Sequence, residues 1–112
     1  MPNEHAQLDR IFYALSDGTR RAVLARLSEQ PAPVSALAQP FDMALPSFLQ
    51  HLRVLEECGL VRSSKSGRVR TYQLTPEPLR EAESWLHQQR QLWELRLDQL
   101  DDYLKALKED RS

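Results

Sequence analysis

The sequence predicts a mainly helical protein with one small β-hairpin, and three observations carry that prediction. Apolar residues recur at helical spacing along most of the chain. Prolines and glycines punctuate those stretches where a helix would start or stop. One segment, Leu60 to Leu74, switches to β-branched and aromatic residues around a polar tip. With 112 residues the chain has the length of a single domain, read here as 1–112, which excludes an enzyme with a separate cofactor domain. At 41% hydrophobic and 28% charged residues, the composition is that of a folded soluble chain. Fifteen basic against sixteen acidic side chains leave a formal charge of −1, which announces no polyanionic partner.

The first helix is predicted from Leu8 to Leu15, because Leu8, Ile11, Phe12 and Leu15 fall on one helical stripe. Ser16, Asp17 and Gly18 supply cap chemistry for a second helix, about Thr19 to Ser28. Its expected buried face is Ala22, Val23, Leu24 and Leu27, with Arg20, Arg21 and Arg26 mostly outside. Pro31 and Pro33 break the pattern, since proline lacks an amide and crowds the preceding turn. A short third helix, Val34 to Gln39, stops at Pro40. The next helix begins near Leu45, where Pro46 suits the first turn because its missing amide would be unpaired there in any case. Leu45, Phe48, Leu52 and Leu55 form the expected inner face. Ser47, Gln50, His51 and Arg53 are left outside, and Gly59 ends the helix in a left-handed conformation.

Leu60 and Val61 lead into the polar tip Ser63-Ser64-Lys65-Ser66-Gly67, and Val69 to Leu74 return as a strand. This hairpin carries Arg62, Lys65, Arg68 and Arg70, with no acid from Ser63 to Pro76. Strict alternation places Arg68 and Arg70 on the side of Tyr72 and Leu74, so the hairpin must overhang the domain edge if these arginines are to leave the core. Thr75-Pro76-Glu77-Pro78 opens a long helix, about 77–108, with its prolines in the first turn. Leu79, Leu86, Trp93, Leu100 and Leu107 follow at intervals of seven, joined by Leu97 and Leu104. A helix of some thirty residues is about 45 Å long, more than the small preceding domain can cover. A second copy of the chain is the expected partner, with Leu8, Phe12, Leu86, Trp93, Leu97, Leu100 and Leu104 as dimerisation residues.

The order of elements is that of a winged helix-turn-helix, with the helix-turn-helix at about 34–58, the wing at about 61–74 and a long C-terminal dimerisation helix. A helix fits the major groove of double-stranded DNA, where short polar side chains reach base edges, while hairpin arginines meet phosphates or the minor groove. The candidate DNA-binding residues are therefore Pro46, Ser47, Leu49, Gln50, His51 and Arg53 on the helix, and Lys65, Arg68 and Arg70 on the wing. Charge by region agrees: residues 31–74 carry +2, residues 75–112 carry −3, and residues 1–30 are neutral.

At these residues the chain resembles the ArsR family of small bacterial winged-helix repressors. The resemblance lies in Leu15-Ser16-Asp17-Gly18-Thr19-Arg20-Arg21, Gln50-His51-Leu52-Arg53-Val54-Leu55, Cys58-Gly59-Leu60-Val61 and the wing Gly67-Arg68-Val69-Arg70-Thr71-Tyr72-Gln73-Leu74. It implies a homodimeric repressor on a palindromic operator, often that of its own promoter, released by a signal such as a small-molecule effector. Metal-sensing members carry paired cysteines in the helix before the recognition helix, where this chain has Leu37-Ala38-Gln39-Pro40-Phe41. The last helix offers only His87 among scattered acids. The resemblance is thus to the branch that does not sense metals, with no metal site and no cofactor. The sequence also departs from the family at Ala44, where a small polar cap is usual, and at Leu49, where a serine is usual.

Several residues keep two readings. Leu49 either touches a thymine methyl or packs on the domain. His51 either contacts DNA or hydrogen-bonds within the domain. Trp85, Trp93 and Tyr103 either pack or line an effector pocket. Cys58 is read as a small buried hydrophobe, with redox sensing as the alternative. His51 and Cys58 lie seven residues apart on one helix, about 10.5 Å along its axis, too far for a nucleophile and its base, so no enzyme is expected. A protein-binding winged-helix module without specific DNA recognition is the competing function. No run approaches the roughly 18 apolar residues of a membrane span, and Met1-Pro2-Asn3-Glu4-His5 lacks the order of a secretory signal. With a lone cysteine suited to a reducing compartment, these features predict a cytoplasmic protein.

Overall fold

A computed structural model describes residues 4–110. In chain order the elements are α1 (Glu4–Leu15), α2 (Gly18–Leu27), β1 (Ala32–Pro33), α3 (Val34–Ala38), α4 (Leu45–Glu57), β2 (Val61–Ser66), β3 (Val69–Leu74) and α5 (Glu77–Asp110). The residues fall into two compact units that divide after Ala82, inside α5, where the sequence reading drew one domain over 1–112.

In the first unit, local chemistry sets the helix ends. Asp17 sits in the extended region and its carboxylate accepts the Arg20 amide, capping α2. Gly59 closes α4 at φ 79°, where a β-carbon would be strained. Leu60 then donates its amide to the Leu55 carbonyl. Ala44 opens α4 with extended backbone but no side-chain cap, leaving first-turn amides without the bond that Ser or Asp would supply.

The core gathers around α4. Phe48, Leu52 and Leu55 are fully buried, packed with Leu37 of α3, Val23, Leu24 and Leu27 of α2, and Leu60, Val61 and Tyr72 of the hairpin. Phe41, from the turn before α4, sets its ring 5.5 Å from that of Phe48. Burying each large apolar side chain is worth about 1.5–3 kcal/mol. The Cys58 Sγ donates to the Leu55 carbonyl, and burial pushes its thiol pKa up. It therefore stays protonated and weakly nucleophilic, consistent with the packing role.

Four details differ from the sequence reading. Ala22 is exposed, and Arg20 is buried in its place. Leu45 is 53% exposed because it precedes the point where α4 meets the core. Ala32 and Pro33, read as a break, form a short strand paired with Tyr72 and Thr71 of β3. Proline is tolerated there because β1 is an edge strand in the order β1-β3-β2. The tip of the hairpin is also tighter: β2 pairs through Ser66 with Val69, leaving a two-residue turn of Gly67 and Arg68. Gly67 takes φ 62° and Arg68 does not, as a type II′ turn requires.

In the second unit, the α5 residues from 83 to 110 are almost all exposed. Leu86, Trp93, Leu97, Leu100 and Leu104 each show more than half of their surface. The ion pairs Arg90–Glu94 and Lys105–Asp101 are surface pairs of small energetic weight. Among the described residues, no helix is long and apolar enough to cross a membrane.

Candidate nucleic-acid interface

The exposed side of α4 is flanked by two open grooves, and these sort the sequence-predicted residues into two groups. Toward the wing, a groove of about 440 Å³ is lined by Leu49 and Arg53 of α4, by Lys65, Arg68 and Arg70 of the hairpin, and by Val34, Glu56 and Tyr72. Five of the nine candidate DNA contacts thus meet in one concavity. Strict alternation in β3 holds: Tyr72 is buried and Arg70 is exposed on the same face, so that face passes from core to open groove between them. The hairpin overhangs as expected. Leu49 is 37% exposed on the groove wall, which leaves it available to an apolar contact.

The charges in this groove are only partly satisfied. Arg70 Nη1 donates to Ser63 Oγ at 2.9 Å, and that hydroxyl donates to Glu56 Oε1 at 2.7 Å. Lys65 stands directly opposite Arg70 across the ladder, an arrangement of like charges that costs stability. Bringing a polyanion to the groove would relieve that repulsion. Burial pushes the Tyr72 hydroxyl pKa up, with the Glu56 carboxylate acting in the same direction, so Tyr72 remains a neutral hydrogen-bonding group. Arg62, by contrast, is occupied by Gln73 when the amide oxygen of Gln73 is turned toward it, at 2.6 and 2.9 Å.

On the other flank of α4, a groove of about 520 Å³ is lined by Pro46, Ser47, Gln50, His51 and Val54 of α4 with Tyr13 and Arg20. Pro46, Ser47 and Gln50 are exposed, whereas His51 is half-buried. The His51 Nδ1 lies 3.1 Å from Arg20 Nη1 and 3.7 Å from Asp17 Oδ2. The Arg20 amide, with help from the His51 and Arg20 charges, holds the Asp17 carboxyl below its ordinary pKa. The internal hydrogen bond weighed for His51 is therefore present. Sequence reasoning missed its partner, Arg20, because an arginine that shares a helix with Arg21 and Arg26 reads as surface; only the folded carbonyls of α1 give it a buried place.

Of the expected dimerisation residues, Leu8 and Phe12 are half-buried on α1. Leu86, Trp93, Leu97, Leu100 and Leu104 form the exposed stripe on α5. Trp85 is 37% exposed, and Tyr103 is 60% exposed. Among the described residues, no three or more His, Cys, Asp or Glu side chains gather as a metal site would require.

A short helix, a turn, a second helix with an open polar face and a basic two-stranded wing define a winged helix-turn-helix DNA-binding regulator. Comparisons agree: a helix-turn-helix domain model matches residues 15–64. The chain is 44% identical over 71 residues to the HTH-type transcriptional regulator Rv2034 of Mycobacterium tuberculosis, covering 63% of this chain and 66% of that protein, a little under two thirds of its length. It is 27% identical to the transcriptional repressor SdpR of Bacillus subtilis, covering 70% of this chain and 88% of that one. A crystal structure of an ArsR family transcriptional regulator aligns with TM-score 0.79 and 55% identity, over 84% of this chain and 97% of the other. The chain belongs to the ArsR family of transcriptional regulators.

Proposed function

We propose that the protein is a homodimeric, sequence-specific DNA-binding repressor that recognises a palindromic operator, including one upstream of its own gene. The observation that carries this reading is the convergence of Arg53, Lys65, Arg68 and Arg70 with Leu49 in one open groove beside the recognition helix. In this reading Ser47, Gln50 and Leu49 meet base edges, Pro46 and His51 flank them, and the wing cations and Arg53 meet phosphates. The α5 stripe supports the dimer: Trp93, Leu97, Leu100 and Leu104 follow the alternating four- and three-residue steps of a helix–helix seam, Leu86 lies one heptad before Trp93, and all five are exposed in the single chain. Leu8 and Phe12 on α1 are further proposed dimer contacts. Two-fold symmetry would then require two matching half-sites in the DNA. Such a regulator acts in the cytoplasm, and a small-molecule effector would release it.

A gel-shift titration with the upstream region of its own gene tests the reading. A salt-sensitive complex that survives non-specific competitor at micromolar dimer supports it. A protein that shifts operator and random DNA alike, or neither, is better described as a protein-interaction module.

A further inference from the structure

We propose that Arg20 is a positioning residue that decides which ring nitrogen of His51 carries the proton, so that the recognition helix presents an N–H donor to DNA. Arg20 is 6% exposed, the one buried charged side chain among the described residues. Its Nε donates to the Ala14 carbonyl at 2.8 Å and its Nη2 to the Tyr13 carbonyl at 2.9 Å, the last turn of α1. The guanidinium also lies 5.0 Å from the centre of the Tyr13 ring. Its position is thereby over-determined, and Nη1 is left aimed at His51 Nδ1, 3.1 Å away.

A guanidinium can only donate, and it keeps its charge at every accessible pH. His51 Nδ1 must therefore accept, which puts the proton of the neutral ring on Nε2. The opposite tautomer would set an N–H against the buried N–H of Arg20. Its one compensation, the Asp17 carboxylate, is 3.7 Å from Nδ1, beyond good hydrogen-bond range. Asp17 is also engaged as the α2 cap. Among the described residues Nε2 has no partner, and the ring borders the open groove shared with Ser47 and Gln50. A donor placed there suits an acceptor on DNA, either a phosphate oxygen or a purine N7 or O6. The two readings of His51 are thus one arrangement: the inner nitrogen binds the domain, which readies the outer one for the ligand. The same contact ties α1 to the recognition helix through one side chain.

This inference rests on the DNA-binding reading for its ligand but not for its tautomer, and the tests separate the two. Ring-nitrogen NMR shifts of the free protein are expected to show His51 protonated on Nε2 alone. In Arg20→Lys a single ammonium cannot reach two carbonyls and the ring, so Nδ1-protonated ring should appear. Operator affinity should then fall about tenfold, the scale of one charge-assisted hydrogen bond. His51→Asn, which keeps an acceptor for Arg20 but whose amide N–H falls short of the Nε2 position, should also lose about tenfold. His51→Gln, whose amide nitrogen reaches the Nε2 position, should stay within about threefold. The His51 pair leaves Arg20 in place, so it tests the proposal even if Arg20→Lys does not fold. Proton density on Nδ1 in the unaltered protein overturns the proposal, as does an unchanged spectrum in folded Arg20→Lys or full operator affinity in His51→Asn. Equal losses on operator and random DNA assign the acceptor to phosphate; a loss confined to the operator assigns it to a base. Absence of any DNA complex with the unaltered protein defeats the DNA-binding reading and the ligand, while the ring spectrum still decides the role of Arg20.

Discussion

Leu37, Leu52, Leu55 and Leu60 of the reading head are at most 2% exposed, whereas Leu86, Leu97, Leu100 and Leu104 of the long helix each expose more than half of their surface. The residue type is the same; what differs is whether the chain supplies a second layer. In the head, α2, α3 and the hairpin close over α4, so apolar surface is removed from water within one chain. On α5 beyond Ala82 the same kind of surface stays wet, and its burial requires another molecule. The head is thus built to fold, and the long helix is built to associate.

The contrast can be broken most forcefully in the core. Phe48→Ala should cost about 3–5 kcal/mol by leaving a cavity beneath the recognition helix, read as a large fall in the thermal unfolding midpoint. Trp93→Glu should leave the head's fold intact by circular dichroism but move sedimentation from dimer toward monomer. A Trp93→Glu protein that remains fully dimeric would place the interface elsewhere. Smaller effects belong to the groove: Lys65→Ala should weaken operator and random DNA alike and lower the salt slope by about one. That substitution should also relieve the repulsion from Arg70 and leave the free protein no less stable. Ala44→Ser, supplying the missing cap of α4, should raise stability by about 1 kcal/mol.

Acid titration sharpens the comparison further, because Asp17 belongs to the head alone. Its folded pKa lies below the ordinary value of 3.8, so the folded state favours the carboxylate. That contribution is fully present above the unfolded pKa and is lost as pH falls through the folded one. Asp17→Asn keeps a cap acceptor without the charge. It should flatten the stability profile below about pH 4, in the carboxylate range, and leave dimerisation through α5 unchanged.

Much of the fold was legible because its signals are local. Asp17 before a helical run, Gly59 after one, and prolines in the first turns of α4 and α5 act over a few residues each. The wing showed itself through a change of period. What escaped depended on distant partners. Pro33 reads as a breaker until β3 lies beside it. Arg20 reads as solvent-facing until the carbonyls of Tyr13 and Ala14 and the ring of His51 surround it. The wing residues were recognisable by charge, but their meeting with Leu49 and Arg53 was not, since a groove between a helix and a hairpin has no local signature.

By itself, then, the sequence determined the helices and the hairpin, their order, the basic character of the wing and the apolar stripe of α5, because periodicity, capping and turn chemistry are properties of neighbouring residues. Only the tertiary structure decided that Arg20 and not Ala22 is buried on α2, how Arg70 reaches the groove beside buried Tyr72, and which nitrogen of His51 is committed to the domain. Those outcomes depend on groups far apart in the chain, and a hydrogen bond or a desolvated charge has no sign until both partners are in place.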